Sequence, residues 1–563
     1  MMLQRLIGQL EQPVRPWFFL VLFSLLLYLP GLVSLPPTDR DESRFAQASK
    51  QMIESGNYVD IRFQDEPRYK KPIGIYWLQA AAARIINAPG AAVIWPYRLP
   101  SLLGALIAVL LTFGLGRGLV GERAAFWGAL LLAGSLLLTV EAHLAKTDAM
   151  LLAAVTAMQL ALGRSYLAWR HGMTPEKGLT LLFWAACGAG ILLKGPVPPA
   201  IALLTILALR LADRKAGFFR ALRPLPGLAL VAIIVLPWFV AINQASQGAF
   251  FRQAVGGDLL PKLIGGQESH GAWPGYYLLL FTALFWPGSL IAWGAAGPAW
   301  RARADVAVRF LLAWLVPAWL LFELIPTKLP HYILPTFPAI ALLAGHFLAT
   351  FPAGLTQFEQ RSTKFFRGLV MGLWVLITVL LGAGLALLPV VTTSGFSLAG
   401  LVAAAAAGLL LARLPHTLRS RQVAPLVVAA LLLSLLVLAP GLGWVLPGLH
   451  GPWLSNEVVA ALQRNGARPP YQLATVDYRE PSLVFLAGTG TRMVDPAGAA
   501  DFLAEPGERW VLVGDRELPA FFAAAGDIGV RPQQVEQIRG FNYSKGRRMT
   551  LNLFRAGSPG KKP

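Results

Sequence analysis

WFFLVLFSLLLYLPGLVSLPPTDRDESR, Trp17 to Arg44, is apolar as far as Leu35 and then places Asp39, Arg40, Asp41, Glu42 and Arg44 within a few positions. A helix needs about 20 apolar residues to cross a bilayer, so the first part reads as a membrane span. The second part is then the first segment to leave the membrane. Its charges raise the question of what so apolar a chain does with them.

The pattern recurs along all 563 residues, which are 55% hydrophobic and only 14% charged, outside the usual range of a soluble domain. Apolar windows at 17–35, 97–119, 124–141, 148–169, 179–193, 196–212, 225–243, 274–297, 307–325, 332–350, 366–390, 395–412 and 424–446 predict thirteen spans. The two that meet at Leu193-Lys194-Gly195-Pro196 are short, and one kinked or re-entrant unit is the alternative there. Pro72 to Asn87, too short to span, reads as an interfacial or buried helix. The first apolar run has no small-x-small cleavage site and reads as an uncleaved anchor.

The formal net charge of +20 would suggest nucleic acid if the basic residues clustered on a soluble domain. They lie instead in short runs between apolar segments, a topology signal. With the N-terminus inside, Arg117 and Arg123, Arg210 to Arg223, Arg301 to Arg309, Arg361 to Arg367 and Arg413 to Arg421 all fall in inner loops. Residues 36–96, 142–147, 194–195, 244–273, 326–331 and everything after about Leu446 then lie outside. The one cysteine, Cys187, sits in an apolar run and reads as a small core residue.

From about Gly451 charges return and apolar runs shorten. Ser455-Asn456-Glu457 reads as a helix start, and YQLATVDY, SLVFLAG, RWVLVG and RMTLNLF read as strands. The fold class is therefore an α-helical polytopic membrane protein, residues 1–450, with a small soluble α/β domain, residues 451–563, on the outer face. Gly488 to Thr491 lacks a complete phosphate-loop pattern and reads as a hairpin turn. Asn542-Tyr543-Ser544 fits a glycosylation tripeptide, a pattern too common to carry weight.

Taken alone, residues 39–44 are an acidic first turn that offsets a helix dipole, with Asp39 as its cap. The outer loops also hold EPRYKKP (Glu66–Pro72), EAHLAKTD (Glu141–Asp148), Lys194, His270 and TKLPHY (Thr327–Tyr332), each at a span boundary on one side. Ionisable residues at that depth are costly, which makes function the default reading. Several cations with a carboxylate suit an anionic head group, and phosphate is the natural one for a lipid-dissolved substrate.

TDRDESR, EPRYKKP, AKTDAM, LLKGP and KLPHYILP, with DYREPSLVF and GFNYSKGR in the tail, resemble the polyprenyl-phosphate-dependent glycosyltransferases of the GT-C fold. The likeness is to the aminoarabinose transferases that modify lipid A and to the related protein O-mannosyltransferases, and it runs nearly the whole length of the chain. It implies a bacterial inner-membrane enzyme whose site and tail face the periplasm. Its partners would be an undecaprenyl-phosphate sugar donor, lipid A or another envelope acceptor, and the membrane lipids, with no nucleic acid. By motif, Asp41 matches the acid at the reaction centre, Asp148 a second acid, Lys71 the lysine near the carrier phosphate, Arg44 the following arginine and Tyr332 a tyrosine close to the phosphate. Tyr69, Lys328 and His331 complete the expected substrate-binding set.

The chemistry fits this assignment. A sugar 1-phosphate has a good leaving group, so Lys71 and Arg44 suffice to neutralise the departing phosphate. Asp41, opposite it, orients or deprotonates the acceptor, and supports positive charge at the anomeric carbon where the acceptor is already a phosphate. No cofactor is required. Lys70 stands where many aminoarabinose transferases carry a Glu that can help hold a metal. A divalent metal is the alternative, with His270 its leading ligand. A transporter should show an internal repeat and polar residues at mid-membrane, and neither is visible. A scaffold acting through its tail leaves the charged motifs of the first 150 residues unexplained.

Overall fold

The computed structural model describes residues 15–86, 92–214, 217–264, 271–350, 364–392, 394–419 and 423–556. Among these, nine helices are long and apolar enough to cross a membrane, from Trp95–Val120 to Pro425–Val445. A tenth results if Glu122–Ala133 and Leu136–Ala142, bent by 63°, form one span. The three other expected windows are helical but short or interrupted. Arg15–Tyr28 has 14 residues and Val197–Asp213 has 17, while 274–297 is divided into Tyr276–Leu284 and Ser289–Arg301. Lys177–Lys194 and Val197–Asp213 are separate helices, parted by Gly195 at φ 60° rather than fused into one kinked unit.

Packing inside the bundle relies on small residues. A Cβ at Gly128 would stand 2.7 Å from the carbonyl of Ala341, and one at Gly345 only 2.0 Å from that of Ala124, so these two helices meet backbone to backbone. The bend at Gly134-Ser135 frees backbone groups that apolar surroundings cannot satisfy. Ser434 Oγ donates to the Gly134 carbonyl at 2.8 Å, and the Leu136 amide donates to the Trp286 carbonyl at 2.8 Å.

Between Arg15–Tyr28 and Trp95–Val120 lies a folded loop at one end of the bundle. It holds the helix Asp41–Ser55, an antiparallel pair of β1 (Arg62–Phe63) and β2 (Glu66–Pro67), and the helix Gly74–Ile85. The last is the expected short helix, and buries Ile75, Tyr76, Ala80 and Ala83 on one face. Phe45 packs against Tyr76 with ring centroids 5.3 Å apart. Arg98, fully buried, fastens this loop. Its Nε donates to Glu42 Oε1 at 2.7 Å, and its remaining nitrogens reach Glu42 Oε2 and the carbonyls of Leu32, Leu35 and Pro36.

The tail forms a five-stranded sheet in the order β4-β3-β5-β7-β6. β3 (Leu473–Val476) runs parallel to β4 (Arg492–Met493) and β5 (Trp510–Gly514), and β7 (Arg547–Ala556) is antiparallel to β5 and to β6 (Pro532–Asn542). Two apolar clusters, around Leu473 and Leu512 and around Val476 and Val513, cover its opposite faces. SLVFLAG, expected as a strand, is the helix Pro481–Ala487. Pro481 pre-sets its first turn, and a short run buried on nearly all sides has no periodicity to tell strand from helix. Gly488 to Thr491 joins that helix to β4 and is not a hairpin turn, because β3 and β4 are parallel.

Those four residues dock on the folded loop instead. Gln47 Nε2 donates to Thr489 Oγ1 at 2.7 Å, and Gln64 Nε2 donates to the carbonyls of Thr489 and Thr491 at 3.0 and 2.6 Å. Lys50 Nζ reaches the Phe485 carbonyl at 3.2 Å.

Candidate active site

At the same end of the bundle, five loop regions enclose a cleft of about 690 Å³ counted with its open mouth. The helix Asp41–Ser55 contributes Asp41, Arg44 and Phe45, and the segment after β2 contributes Arg68, Lys70 and Lys71. Thr147 and Asp148 stand where the helix Asp148–Arg170 begins, and Lys194 ends the next helix. Asp258 and Lys262 come from the loop before Tyr276, and Thr327, Leu329, His331 and Tyr332 from the loop after Leu324. Among the described residues, six lysines and arginines thus face three carboxylates, an excess of three positive charges with histidine neutral.

The carboxylates differ in their surroundings. Asp148 is buried, accepts from Lys194 Nζ, and has Lys146 Nζ and His331 Nε2 each 3.8 Å away. Asp258 accepts from Lys262 Nζ at 2.5 Å and from Lys71 Nζ at 3.1 Å. Burial would raise its pKa, but the two lysines outweigh that and hold it below the ordinary carboxylate range. Asp41 is half open to solvent, with the Arg68 guanidinium 4.0 Å away. The guanidinium of Arg68 also covers the Phe45 ring at 5.2 Å. Arg44 pairs with no carboxylate among the described residues.

Asp41, Arg44, Lys71, Asp148, His331 and Tyr332 therefore share one cleft, and two expected members do not reach it. Tyr69 turns away to donate to Asp60 Oδ1 at 2.6 Å; burial, then that carboxylate, pushes its phenol up to about 12. Lys328 is buried and donates to the carbonyls of Ala272 and Ile325 at 2.8 Å each, so it ties its own loop to the segment before Tyr276. Nor is Asp39 the cap of the helix Asp41–Ser55. Arg40 occupies that position with no side-chain cap, and Asp39 faces the tail domain.

The sequence reading also passed over Asp258, Lys262 and Arg68. Asp258 and Lys262 are four apart, a spacing that lets a carboxylate and an ammonium meet on a helix, in a loop otherwise short of charge. Arg68 lies within the EPRYKKP motif, but no sequence signal separates it from its basic neighbours.

His270, the proposed metal ligand, lies outside the described residues. Among those described, no three His, Cys, Asp or Glu side chains come together to hold a metal. Lys70 brings a positive charge where many aminoarabinose transferases carry a Glu, and Asp148 and Asp258 are already bound by lysines, so the described residues do not fit a cation.

A family model for dolichyl-phosphate-mannose-protein mannosyltransferases matches residues 70–240, which includes Lys70, Lys71, Asp148 and Lys194. The fold is superimposable, with a TM-score of 0.70, on the crystal structure of ArnT from Cupriavidus metallidurans bound to undecaprenyl phosphate, at 19% identity over 95% of this chain and 97% of that one. The chain has a GT-C fold. The archaeal oligosaccharyltransferase AglB from Archaeoglobus fulgidus is a more distant likeness, with a TM-score of 0.53 at 12% identity over 98% of this chain and 74% of that one. In sequence, the chain resembles the undecaprenyl phosphate-alpha-4-amino-4-deoxy-L-arabinose arabinosyl transferases. It is 30% identical to one from Pseudomonas fluorescens (strain Pf0-1) over 365 residues, 64% of this chain and 62% of the relative. It is 31% identical to that of Edwardsiella ictaluri (strain 93-146) over 343 residues, 59% of each. The matches thus span about three fifths of the length of these curated relatives.

Proposed function

We propose that the chain is an inverting glycosyltransferase that moves a sugar, of the aminoarabinose type, from undecaprenyl phosphate to lipid A. The observation that carries this reading is the cleft itself, in which an open carboxylate, Asp41, faces a surplus of lysines and arginines. Lys71 and Lys194 each have donors beyond those given to Asp258 and Asp148, and Arg44 pairs with no described carboxylate, so a phosphate can be held without breaking the existing pairs. Those cations neutralise the leaving carrier phosphate, and Asp41 orients the incoming acceptor and supports charge at the anomeric carbon. The resemblance to the arabinosyl transferases supports both substrates.

The same reading divides the chain into a membrane domain, 1–450, and a tail domain, 451–563. It takes the thirteen apolar helices as thirteen crossings of a bacterial inner membrane, with cleft and tail on the periplasmic side. Support comes from the basic inner loops and from the docking of the tail on the first loop.

A second reading, transfer to a protein hydroxyl, is favoured by the mannosyltransferase match over residues 70–240. Mass spectrometry of lipid A and of envelope glycoproteins, from cells with and without the gene, separates the two. A sugar mass on lipid A that disappears with the gene is the expected result. A change confined to glycoproteins selects the second reading, and no change in either overturns both.

A further inference from the structure

We propose that the tail domain positions Asp41 through a clasp on Asp39 and Arg40, with Tyr543 and Ser482 as positioning residues. The proposal rests on Asp41 serving the transfer as read above. It begins from the backbone at Arg40, which has φ 66° and ψ −115°, a conformation that glycine adopts freely and an arginine does not. Such a residue persists only where its surroundings over-determine it. The helix it precedes has no side-chain cap, so the start of Asp41–Ser55 is not held by the usual local device.

Glu42, bound to Arg98, Thr38 and Ala145, anchors the first turn, and what holds Asp39 and Arg40 ahead of it comes from some 440 to 500 residues along the chain. The Asp39 amide donates to Tyr543 Oη at 2.7 Å, the Asp39 carboxylate accepts from Ser482 Oγ, and the Arg40 guanidinium donates to the Ser544 carbonyl at 2.5 Å. The turn that carries Tyr543 and Ser544 is itself tied down, since Glu480 Oε1 accepts from Asn542 Nδ2 at 2.9 Å and from Ser544 Oγ at 2.5 Å. A second attachment fixes the domain farther along the same helix, where Gln47 meets Thr489, and on the β1–β2 turn, where Gln64 meets Thr489 and Thr491. Among the described residues, the ion pair Asp41 makes within the cleft is a long one, to Arg68 at 4.0 Å. The placement of its carboxylate therefore follows from where the helix starts, which the clasp sets together with the Glu42–Arg98 pair.

The geometry separates turnover from donor binding. Lys71 and Lys194 stand on other elements and do not move with Arg40. In the purified full-length chain, with a polyprenyl-phosphate sugar as donor, Tyr543→Phe and Ser482→Ala should each lower kcat about tenfold while donor KM stays within about twofold. Arg464→Ala, which removes an exposed ion pair to Glu536 within the tail domain, should leave both unchanged. Glycine accepts the Arg40 backbone without strain, so Arg40→Gly should restore most of the turnover lost in Tyr543→Phe, although it deletes the contact to Ser544. A merely structural contact predicts the reverse, a double variant worse than either single one.

Wild-type kcat in both clasp variants, or no rescue by Arg40→Gly, overturns the proposal. If Tyr543→Phe does not accumulate, Ser482→Ala with and without Arg40→Gly decides by the same criterion. Asp41→Asn run alongside keeps the two readings apart. An active Asp41→Asn removes the role of Asp41 itself, whereas an inactive Asp41→Asn beside a fully active Tyr543→Phe removes the clasp alone.

Discussion

Lys71 Nζ lies 3.1 Å from Asp258 Oδ2, so two loops 187 residues apart meet in one ion pair on the wall of the cleft. Burial pushes the Lys71 ammonium down to about 8; Asp258 opposes the fall, and Lys262 and Lys194 add to it. Lys71 is thus a cation below that pH and loses its charge above it. Because kcat/KM reports groups of the free enzyme, it should decline as pH rises through about 8. Asp258→Asn removes the partner that holds the proton on Lys71, and should move this decline to lower pH. Profiles of kcat/KM for both enzymes check the direction, and an unmoved basic limb would dissociate Lys71 from donor capture.

Asp41 and Glu42 are adjacent in sequence and do different work. The Asp41 carboxylate is half exposed in the cleft, while Glu42 is buried against Arg98 and also accepts the amides of Thr38 and Ala145. Asp41→Asn should cut turnover by a few orders of magnitude and leave protein level unchanged. Glu42→Gln strands a buried guanidinium, and breaking such a pair costs about 3–5 kcal/mol. Its expected result is loss of protein from the membrane and a lower Tm. A stable, accumulating Glu42→Gln would show that Arg98 is satisfied by the carbonyls of Leu32, Leu35 and Pro36 alone.

These two neighbours also show where sequence stops being informative. Hydropathy locates the apolar segments because a bilayer leaves long apolar runs no other solvent. It cannot see that the run 124–141 bends at Gly134, since the stabilising donor is Ser434, three hundred residues away. In the charged stretch, residue types announced a site but not its members. Asp39, Asp41 and Glu42 look alike on paper, and only the tail domain, the cleft and Arg98 assign them. Tyr69 and Lys328 belong to the same motifs as Lys71 and His331, yet each satisfies a local acceptor instead. Asp258 escaped notice because its partner Lys71 is remote in sequence.

Metal removal gives a sharp contrast between this chain and relatives with Glu before Lys-Pro. The cleft neutralises phosphate with side-chain cations, and its described carboxylates do not assemble a metal site. Activity should survive dialysis against a strong chelator, and added zinc or magnesium should not raise it. Lys70→Glu places a carboxylate among these cations and should weaken donor binding, read as a higher KM. Loss of activity in chelator, restored by metal, would return His270 to consideration.

Membrane topology provides the final prediction. Asp39, in the loop before Trp95–Val120, touches Tyr543 in the tail, so both lie on one side and the chain between them crosses the membrane an even number of times. The nine long helices all lie in that interval and would leave the two on opposite sides. Counting the bent pair Glu122–Ala133 and Leu136–Ala142 gives ten crossings, and adding Val197–Asp213 and the divided segment Tyr276–Arg301 gives twelve. Ten would put Asp258 on the far side from Lys71 and His331, although the three share one cleft; twelve keeps them together, and with the helix Arg15–Tyr28 ahead of the loop, twelve makes thirteen in all. Reporters that distinguish the two sides, fused after Gly56 and after Gly557, should therefore agree with each other and indicate the periplasm. A reporter after Arg214, between Val197–Asp213 and Pro224–Ala245, separates the two counts. It should read cytoplasmic, and a periplasmic reading would mean that Val197–Asp213 only dips into the bilayer, against the side that the Lys71–Asp258 pair requires.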